Sequence, residues 1–318
     1  MKHLGIMICA VVLSTGSVEA GQAVAPDRQA VPWREATERV HALYEHGKYA
    51  EAASAAEEAL RMAEGTFGVQ HTNTAASLNN LAQVYAVQGR ASDAEALFLR
   101  ALEINQRALG ADHVDLATDL NNLGGLYFEQ KKYLMTEALL TRAMRILEQH
   151  YGRDDPEMVR YLGNLADVYE AQVRHQEAEA LYKRSVHAVE QGLGAGHPLT
   201  AEPLDRLAEF YEERGRRKEA ERAYLQVLKV VEEAYGPDDQ AVAVALNNLA
   251  LFYTANKQFN KAEPLLRRAA AIAMVAGESV HPDLVATLDT YADTLRRKGN
   301  KIEAELVEAR ATKLRNGD

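Results

Sequence analysis

Four histidines recur at one spacing and are the first candidates for metal chemistry. They form a series with two aspartates, in which each position number is 42 above the last: His71, His113, Asp155, His197, Asp239 and His281. A metal site needs its ligands to converge on one point, whereas residues so far apart in a repeating chain belong to different structural units. Proline follows three members of the series, at positions 156, 198 and 282. The series therefore predicts helix N-caps, three of them followed by proline in the first turn.

A glycine cluster is the next candidate for chemistry. Gly192, Gly194 and Gly196 imitate the glycine-rich loop that binds dinucleotides, but that loop must follow a strand. Here the preceding pattern is helical. The sequence also lacks the phosphate-loop, zinc-protease and nucleophile-elbow motifs. We therefore expect no catalytic residue, no metal site and no cofactor.

The composition is that of a folded protein with an acidic balance. Of 318 residues, 47% are hydrophobic and 26% are charged, which excludes disorder over most of the length. Lys and Arg total 36 against 46 for Asp and Glu, giving a formal net charge of -10. Nucleic-acid binding needs basic residues that displace counterions from phosphates. Nucleic acid is therefore not an expected partner.

An internal repeat organises most of the chain. The pattern Leu78, Leu81, Ala82, Tyr85 returns at each step of 42 up to Leu246, Leu249, Ala250, Tyr253. Apolar residues at i, i+3, i+4 and i+7 form one face of an α-helix. We name this first helix of each repeat helix A.

A second helix follows helix A in every repeat. Small residues recur on the same spacing at positions 94, 178, 220, 262 and 304, and a glutamate follows each of them directly. Leucines and further small residues complete an apolar face that lets two helices approach closely. We name this second helix helix B. Glycines between the helices predict tight turns.

These motifs resemble the tetratricopeptide repeat, in the long form typical of kinesin light chains. The segment LNNLAxxY, at Leu78–Tyr85 and Leu246–Tyr253, carries the closest resemblance. The resemblance implies an all-α, right-handed solenoid of about seven helix-turn-helix repeats over residues 33–318. The first repeat is degenerate, because Arg39 stands where leucine is expected. The resemblance also implies a concave groove, lined by the A helices, that binds protein or peptide partners.

The start of the chain, up to Pro32, has a different character from the repeats. Lys2 is followed by a short apolar run, Leu4 to Leu13, and then by small and polar residues up to Ala20. This order is typical of a signal peptide, so residues 1–20 are predicted to be removed, with cleavage after Ala23 as the second choice. An uncleaved anchor is the alternative. Residues 21–32 are predicted to be a flexible leader, and no membrane span is expected after signal removal.

Recurrent asparagines in helix A are the candidate binding residues. They lie opposite the apolar stripe, on the side that this fold turns toward the groove: Asn79, Asn80, Asn121, Asn122, Asn164, Asn247 and Asn248. An amide that donates and accepts matches the backbone of an extended peptide. The alternative is a ladder of amide hydrogen bonds between neighbouring A helices.

Charged groove positions suggest the character of the ligand. The candidates are Arg160, Asp167, Asp205, Arg206 and Glu209. Family members that clamp a peptide carboxylate use lysines where this chain has Asn79, Asn121 and Asp205. A carboxylate clamp is therefore not expected. The acidic middle of the array favours a peptide of basic or polar character.

Taken together, the sequence predicts an exported, non-enzymatic scaffold that binds a peptide segment or protein partner in its groove. The alternative is a structural assembly module that pairs through solenoid ends or its convex surface. An enzyme is the third and least favoured hypothesis. Ile302, Leu306 and Leu314 lie in the last helix with no repeat after them, which suggests weak end-to-end self-association.

Overall fold

The computed structural model describes residues 31–275 and 282–316, and these form α-helices joined by short turns. In chain order the helices are α1 (Val31–Glu45), α2 (Tyr49–Phe67), α3 (Thr72–Val87), α4 (Ala91–Leu109), α5 (Leu116–Glu129), α6 (Tyr133–Tyr151), α7 (Val159–Ala171), α8 (His175–Leu193), α9 (Ala201–Glu213), α10 (Arg217–Tyr235), α11 (Gln240–Ala255), α12 (Phe259–Val275), α13 (Pro282–Lys298) and α14 (Lys301–Asn316). Short 3₁₀ turns, Pro156–Met158 and Pro198–Thr200, precede α7 and α9. Odd-numbered helices are the A helices of the repeats, and even-numbered helices are the B helices.

The apolar periodicity explains why each A helix forms and where it packs. In α5, Leu116, Leu120, Leu123 and Tyr127 are all buried, at the spacing that places side chains on one helix face. Each helix packs mainly on its neighbours in the chain. The B helix α4 ends at Gly110, whose φ of 99° is readily adopted only by glycine.

The described residues divide into two compact units. The first comprises residues 31–153 and 160–178, and the second comprises residues 154–159 and 179–316. A core cluster of the first unit contains Leu78 and Ile104, which join α3 to α4. A core cluster of the second unit contains Leu288 and Ala311, which join α13 to α14.

The architecture confirms the predicted fold class, an all-α solenoid of helix-turn-helix repeats. The first helix begins at Val31, slightly before the predicted start of the array at Trp33. The predicted signal peptide and residues 21–30 of the leader lie outside the described residues. The degenerate first repeat keeps its core through Trp33, whose indole Nε1 donates to Oγ of Ser77 on α3 at 2.7 Å.

The histidine and aspartate series caps helix starts at four of its five described members, His71, Asp155, His197 and Asp239, whereas the cap position of α5 is Asp115 and not His113. Nδ1 of His71 accepts a hydrogen bond from the backbone N–H of Asn73 at 3.1 Å. The equivalent bonds, each to the N–H two residues later, are made by His113, Asp155, His197 and Asp239. His281 lies outside the described residues. These side chains satisfy backbone donors that a helix start leaves without partners.

The glycine cluster at 192–196 has a packing role. A Cβ at Gly192 would lie 2.5 Å from Cγ of Pro156, so the end of α8 approaches the 3₁₀ turn too closely for any side chain. Pro156 is the proline that follows the cap residue Asp155. This close approach explains why residue 192 is glycine, and a bound nucleotide is not needed to explain it.

The last helix, α14, differs from α8 and α10 at the position that packs on the following A helix in those two helices. Tyr182 on α8 and Tyr224 on α10 pack on Phe210 and Phe252 of the following A helix, with ring centroids 5.6 and 5.5 Å apart. Glu308 of α14 occupies the same place in the repeat and pairs with Arg296. Glu308 is exposed, whereas Tyr182 and Tyr224 are buried.

Of the three apolar residues expected to promote end-to-end pairing, Leu314 is half-buried and Ile302 and Leu306 are exposed, and the pairing itself stays a prediction. Leu314 packs against the cluster of Ala270, Leu288 and Ala311. Ile302 is 77% exposed, but Leu134, its equivalent four repeats earlier, is 79% exposed although helices follow it. Exposure at this place is therefore a property of every repeat and not of the end. Leu306 is also exposed, one turn along the same face of α14.

Candidate functional site

Nine of the twelve predicted groove residues occupy two adjacent rows on successive A helices, and Arg160, Asp167 and Glu209 lie one turn from them on the same helix faces and are counted with the rows. The first row consists of positions 79, 121, 163, 205 and 247, and the second of positions 80, 122, 164, 206 and 248. The structure places Asn79 and Asn80 on α3, Asn121 and Asn122 on α5, Arg160, Asn164 and Asp167 on α7, Asp205, Arg206 and Glu209 on α9, and Asn247 and Asn248 on α11. The two compact units each contain part of the rows.

Four of the asparagines are buried, all of them in the first unit: Asn79, Asn121, Asn122 and Asn164. Nδ2 of Asn164 donates to Oδ1 of Asn121 on the preceding A helix at 2.8 Å. This is a hydrogen bond of the kind that the ladder alternative requires. Burial also makes these amides less accessible to a peptide than the sequence suggested, and peptide binding by them stays a prediction.

A buried carboxylate joins three helices of the first unit. Asp119 on α5 accepts hydrogen bonds from Nδ2 of Asn79 on α3 at 2.6 Å and from Nδ2 of Asn105 on α4 at 2.7 Å. Burial raises the pKa of Asp119 to about 6, although both amide hydrogen bonds act in the opposite direction. Asn79 is therefore held by a structural contact that its sequence position did not reveal.

The second unit repeats the inter-helix bond, and it contains buried oxygens without donors among the described residues, as the first unit does at Oδ1 of Asn79 and Oδ1 of Asn105. Nδ2 of Asn248 on α11 donates to Oδ2 of Asp205 on α9 at 3.1 Å. Among the described residues, none donates to Oδ1 of Asp205 or to Oδ1 of Asn247, and both atoms are buried. Burial raises the pKa of Asp205 to about 6, against the effect of the Asn248 bond.

Other members of the rows remain open to solvent. Glu209 is exposed, and the half-buried members are Asn80, Arg160, Asp167, Asp205, Arg206, Asn247 and Asn248. Their side chains offer hydrogen-bond donors, acceptors and charges of both signs on consecutive A helices. The accessible candidates are therefore Asn80 on α3 and Arg160 and Asp167 on α7 in the first unit, and residues of α9 and α11 in the second unit.

Two apolar residues belong to this surface although sequence reasoning did not select them. Val244 and Leu251 on α11 are each 42% exposed. They lie one turn before and one turn after Asn247 and Asn248, on the same face of the helix. The repeat could have identified them, because the equivalent positions on α9 are the acids Glu202 and Glu209, and both of these are exposed.

A cluster of one glutamate, one tyrosine and one basic residue recurs between neighbouring repeats. Glu179 on α8 accepts a hydrogen bond from Oη of Tyr211 at 3.2 Å and pairs with Arg216 at 2.6 Å. The Arg216 guanidinium lies 4.4 Å from the centre of the Tyr211 ring. Burial alone would raise the pKa of Glu179, but hydrogen bonds from Lys183 and Arg216 outweigh it, and the pKa is lowered.

The same cluster recurs along both units, with a glutamate on one B helix and a tyrosine on the next A helix. Hydrogen-bonded Tyr and Glu pairs include Tyr85 with Glu57, Tyr127 with Glu95 and Tyr253 with Glu221. A lysine or arginine lies over each of these tyrosine rings. Bases at the turns between helices A and B therefore serve repeat packing.

Within residues 31–275 and 282–316, no three His, Cys, Asp or Glu side chains gather in a way that would hold a metal ion. None of the helices described there combines the length and the apolar character that a membrane span needs.

Comparison with protein families identifies the repeat. The tetratricopeptide repeat model matches residues 35–105, 73–149, 115–191, 157–233, 199–273 and 241–316 in overlapping segments. The chain therefore belongs to the tetratricopeptide repeat family. This confirms the resemblance to the tetratricopeptide repeat drawn from the sequence, and a kinesin-light-chain array is among the solved structures that share the fold. No curated protein sequence matches the chain.

Solved structures of similar fold include bacterial and fungal proteins. BtubC (BKLC) from P. vanneervenii has 21% identity and a TM-score of 0.63, covering 71% of this chain and 91% of that one. A kinesin light chain with nearly identical repeats from Podosopora anserina has 22% identity and a TM-score of 0.55, covering 64% and 97%. Aspartyl phosphate phosphatase F from Bacillus subtilis has 13% identity and a TM-score of 0.59, covering 90% and 71%.

These similarities establish the fold at a general level. Identities of 13 to 22% carry no information about a particular ligand. Tetratricopeptide arrays are scaffolds that generally mediate protein interactions, and this chain is such a scaffold. The partner and the surface that binds it must be argued from the residues of the two rows.

Proposed function

We propose that this protein is an exported, non-enzymatic scaffold that binds a peptide segment or protein partner on the two rows of its A helices. The rows would line the partner-binding groove that the sequence predicts. Binding rather than catalysis would then be the whole activity of the array, and no cofactor would take part.

The observation that carries this proposal is a difference in accessibility: the residues of the rows are mostly buried in the first unit and mostly accessible in the second. In the first unit the row amides are largely buried and bonded to each other or to Asp119. In the second unit the rows present the accessible residues Asp205, Arg206, Glu209 and Asn248 together with exposed apolar side chains. A surface that combines charge, amides and exposed apolar groups is suited to protein recognition.

Export is supported by the pattern of residues 1–20. A mature N-terminus at Gly21 is expected, because Ala20 ends the region of small residues. N-terminal sequencing of exported material tests this point. Recovery of chains that begin at Met1, and only from the cytoplasm, would contradict it.

The assembly alternative has less support from the end of the array. Glu308 and Arg315 on α14 stand where Tyr224 and Val231 are buried two repeats earlier, and both charged residues form ion pairs. Pairing through this end would bury those charges. Partner binding on the rows is therefore the function that we favour.

Affinity capture tests the proposal with blocking variants. The immobilised full chain is incubated with the exported fraction of the source cells. One variant, E209R/L251R, obstructs the rows of the second unit, and N80R/Q83R obstructs those of the first. Arginine is large and charged, so it blocks ligands of any chemistry at these places.

A matched control uses exposed residues of the B helix α10, in the variant L225R/E233R. Leu225 is 45% exposed, close to the value for Leu251. We expect a specific partner with the wild type and the control, and its loss with at least one blocking variant. A partner retained by both blocking variants would overturn binding on the rows.

A further inference from the structure

The rows of the second unit differ from each other in chemistry. On α9, the face formed by Glu202, Asp205, Arg206 and Glu209 has three acids and one base. On α11, the face at the equivalent places is Val244, Asn247, Asn248 and Leu251, which carries no charge. An acidic strip and an apolar strip therefore run side by side.

The contact between the strips fixes their register. Nδ2 of Asn248 donates to Oδ2 of Asp205 at 3.1 Å, so the midpoints of the two strips touch. Residues three and four apart lie on one side of a helix. Val244 and Leu251 therefore lie on either side of this contact along α11, and Glu202 and Glu209 lie on either side of it along α9.

The centre of this surface contains acceptors that lack donors. Of the described residues, none donates to the buried Oδ1 atoms of Asp205 and Asn247. A buried acceptor without a donor is unfavourable. Positive charge bound above these oxygens would stabilise the carboxylate of Asp205.

The apolar strip adds a second requirement. Val244 and Leu251 are exposed on an A helix in the interior of the array, where the equivalent residues of α9 are glutamates. Each side chain loses contact with water if an apolar group packs on it. The occupant must therefore present apolar groups to α11 and positive charge to α9.

We propose that the α9 and α11 strips bind an extended peptide segment in which lysine or arginine alternates with large apolar residues. Successive side chains of an extended segment point in opposite directions. Basic side chains then lie over the exposed carboxylates of Glu202 and Glu209 on the acidic strip, and apolar side chains lie over Val244 and Leu251. This inference rests on the proposed function and specifies the ligand of the same surface.

Three labelled peptides of equal length test the chemistry by fluorescence anisotropy with the full chain. The first alternates lysine and leucine, the second replaces lysine by glutamate, and the third replaces leucine by serine. We expect the first to bind at least about tenfold more tightly than either of the others. Equal or tighter binding of the glutamate peptide, or no measurable binding of the first, would overturn the proposal.

Variants locate the binding surface. V244S/L251S removes the apolar strip and D205N/E209Q removes charge from the acidic strip. Each should weaken binding of the lysine and leucine peptide by roughly tenfold. The controls L225S and E233Q, on α10, should leave the affinity unchanged. Equal losses in the controls would show general attraction to an acidic protein and would overturn the assigned site.

Failure of this inference is distinguishable from failure of the proposed function. If capture of the natural partner is lost with E209R/L251R but the three peptides bind equally well, only the proposed basic and apolar chemistry of the ligand is refuted. Natural-partner capture that ignores every row variant would refute the proposed function itself.

Discussion

Nδ2 of Asn79 donates to Oδ1 of Asp119 at 2.6 Å and so ties together the A helices of two successive repeats. The other carboxylate oxygen accepts from Asn105 on the intervening B helix. One acid thus links three helices while its charge lies in the core with amide partners. This arrangement has consequences for the dependence of stability on pH.

Replacing Asp119 by Asn should remove a loss of stability that the wild type undergoes as the pH rises towards neutral. The pKa of Asp119 is about 6 in the folded protein and about 4 in an unfolded chain. A raised carboxyl pKa contributes stability that is present below pH 4 and is lost as the pH rises through 6. The shift corresponds to roughly 3 kcal/mol at pH 7.

Urea unfolding of wild type and D119N between pH 4 and 8 checks this prediction. The difference in unfolding free energy should grow from pH 4 to about pH 6.5 and then level off. D112N, at an exposed acid close by in the same repeat, serves as the control. A wild type that gains stability relative to D119N as the pH rises would contradict the buried-charge account.

The amide ladder should stabilise the first unit. Replacing Asn121, Asn122 and Asn164 together by Ala removes the Asn164 to Asn121 bond and leaves space in a buried layer. We expect a loss of about 1–3 kcal/mol and a lower melting temperature, despite the higher helix propensity of Ala. N260A, an exposed asparagine on α12, should melt at or slightly above the wild-type temperature. An unchanged triple variant would mean that the ladder is not stabilising.

The cap series predicts that His71 is replaceable by the residue that its equivalents carry. Asp155 and Asp239 make the same bond to the N–H two residues later. H71D should retain the cap and add a favourable interaction with the helix dipole of about 0.3–1 kcal/mol, whereas H71A should lose about 1 kcal/mol. Chemical denaturation at neutral pH measures both. H187A, at an exposed histidine within α8, is the control, and a loss as large as that of H71A would remove the capping explanation.

The charged end of the array predicts a monomer. Sedimentation of the wild type should show one species of monomer mass at high protein concentration. E308Y/R315V restores the side chains found two repeats earlier at Tyr224 and Val231 and should promote concentration-dependent association. Association of the wild type that E308Y/R315V leaves unchanged would show a contact elsewhere on the surface.

The period of the internal repeat predicted the helices and their pairing, because the apolar face of a helix is written directly into the spacing of its residues. It also predicted the caps, which depend on neighbouring residues alone. Burial of Asn121 was not predictable, since it depends on how closely successive A helices approach. Val244 and Leu251 were overlooked because apolar residues in helix A were assigned to the core. Their significance appears only beside Glu202 and Glu209 on the adjacent helix.

Site-specific photo-crosslinking tests the central claim most directly, namely that the A-helix rows bind the partner. A photoreactive phenylalanine analogue is placed at position 251 on α11 or at position 225 on α10, in the full chain within its source cells. The two sites have similar exposure, 42% and 45%. We predict a discrete crosslinked partner from position 251 and none from position 225. Crosslinking of the partner from position 225 alone would contradict binding on the rows.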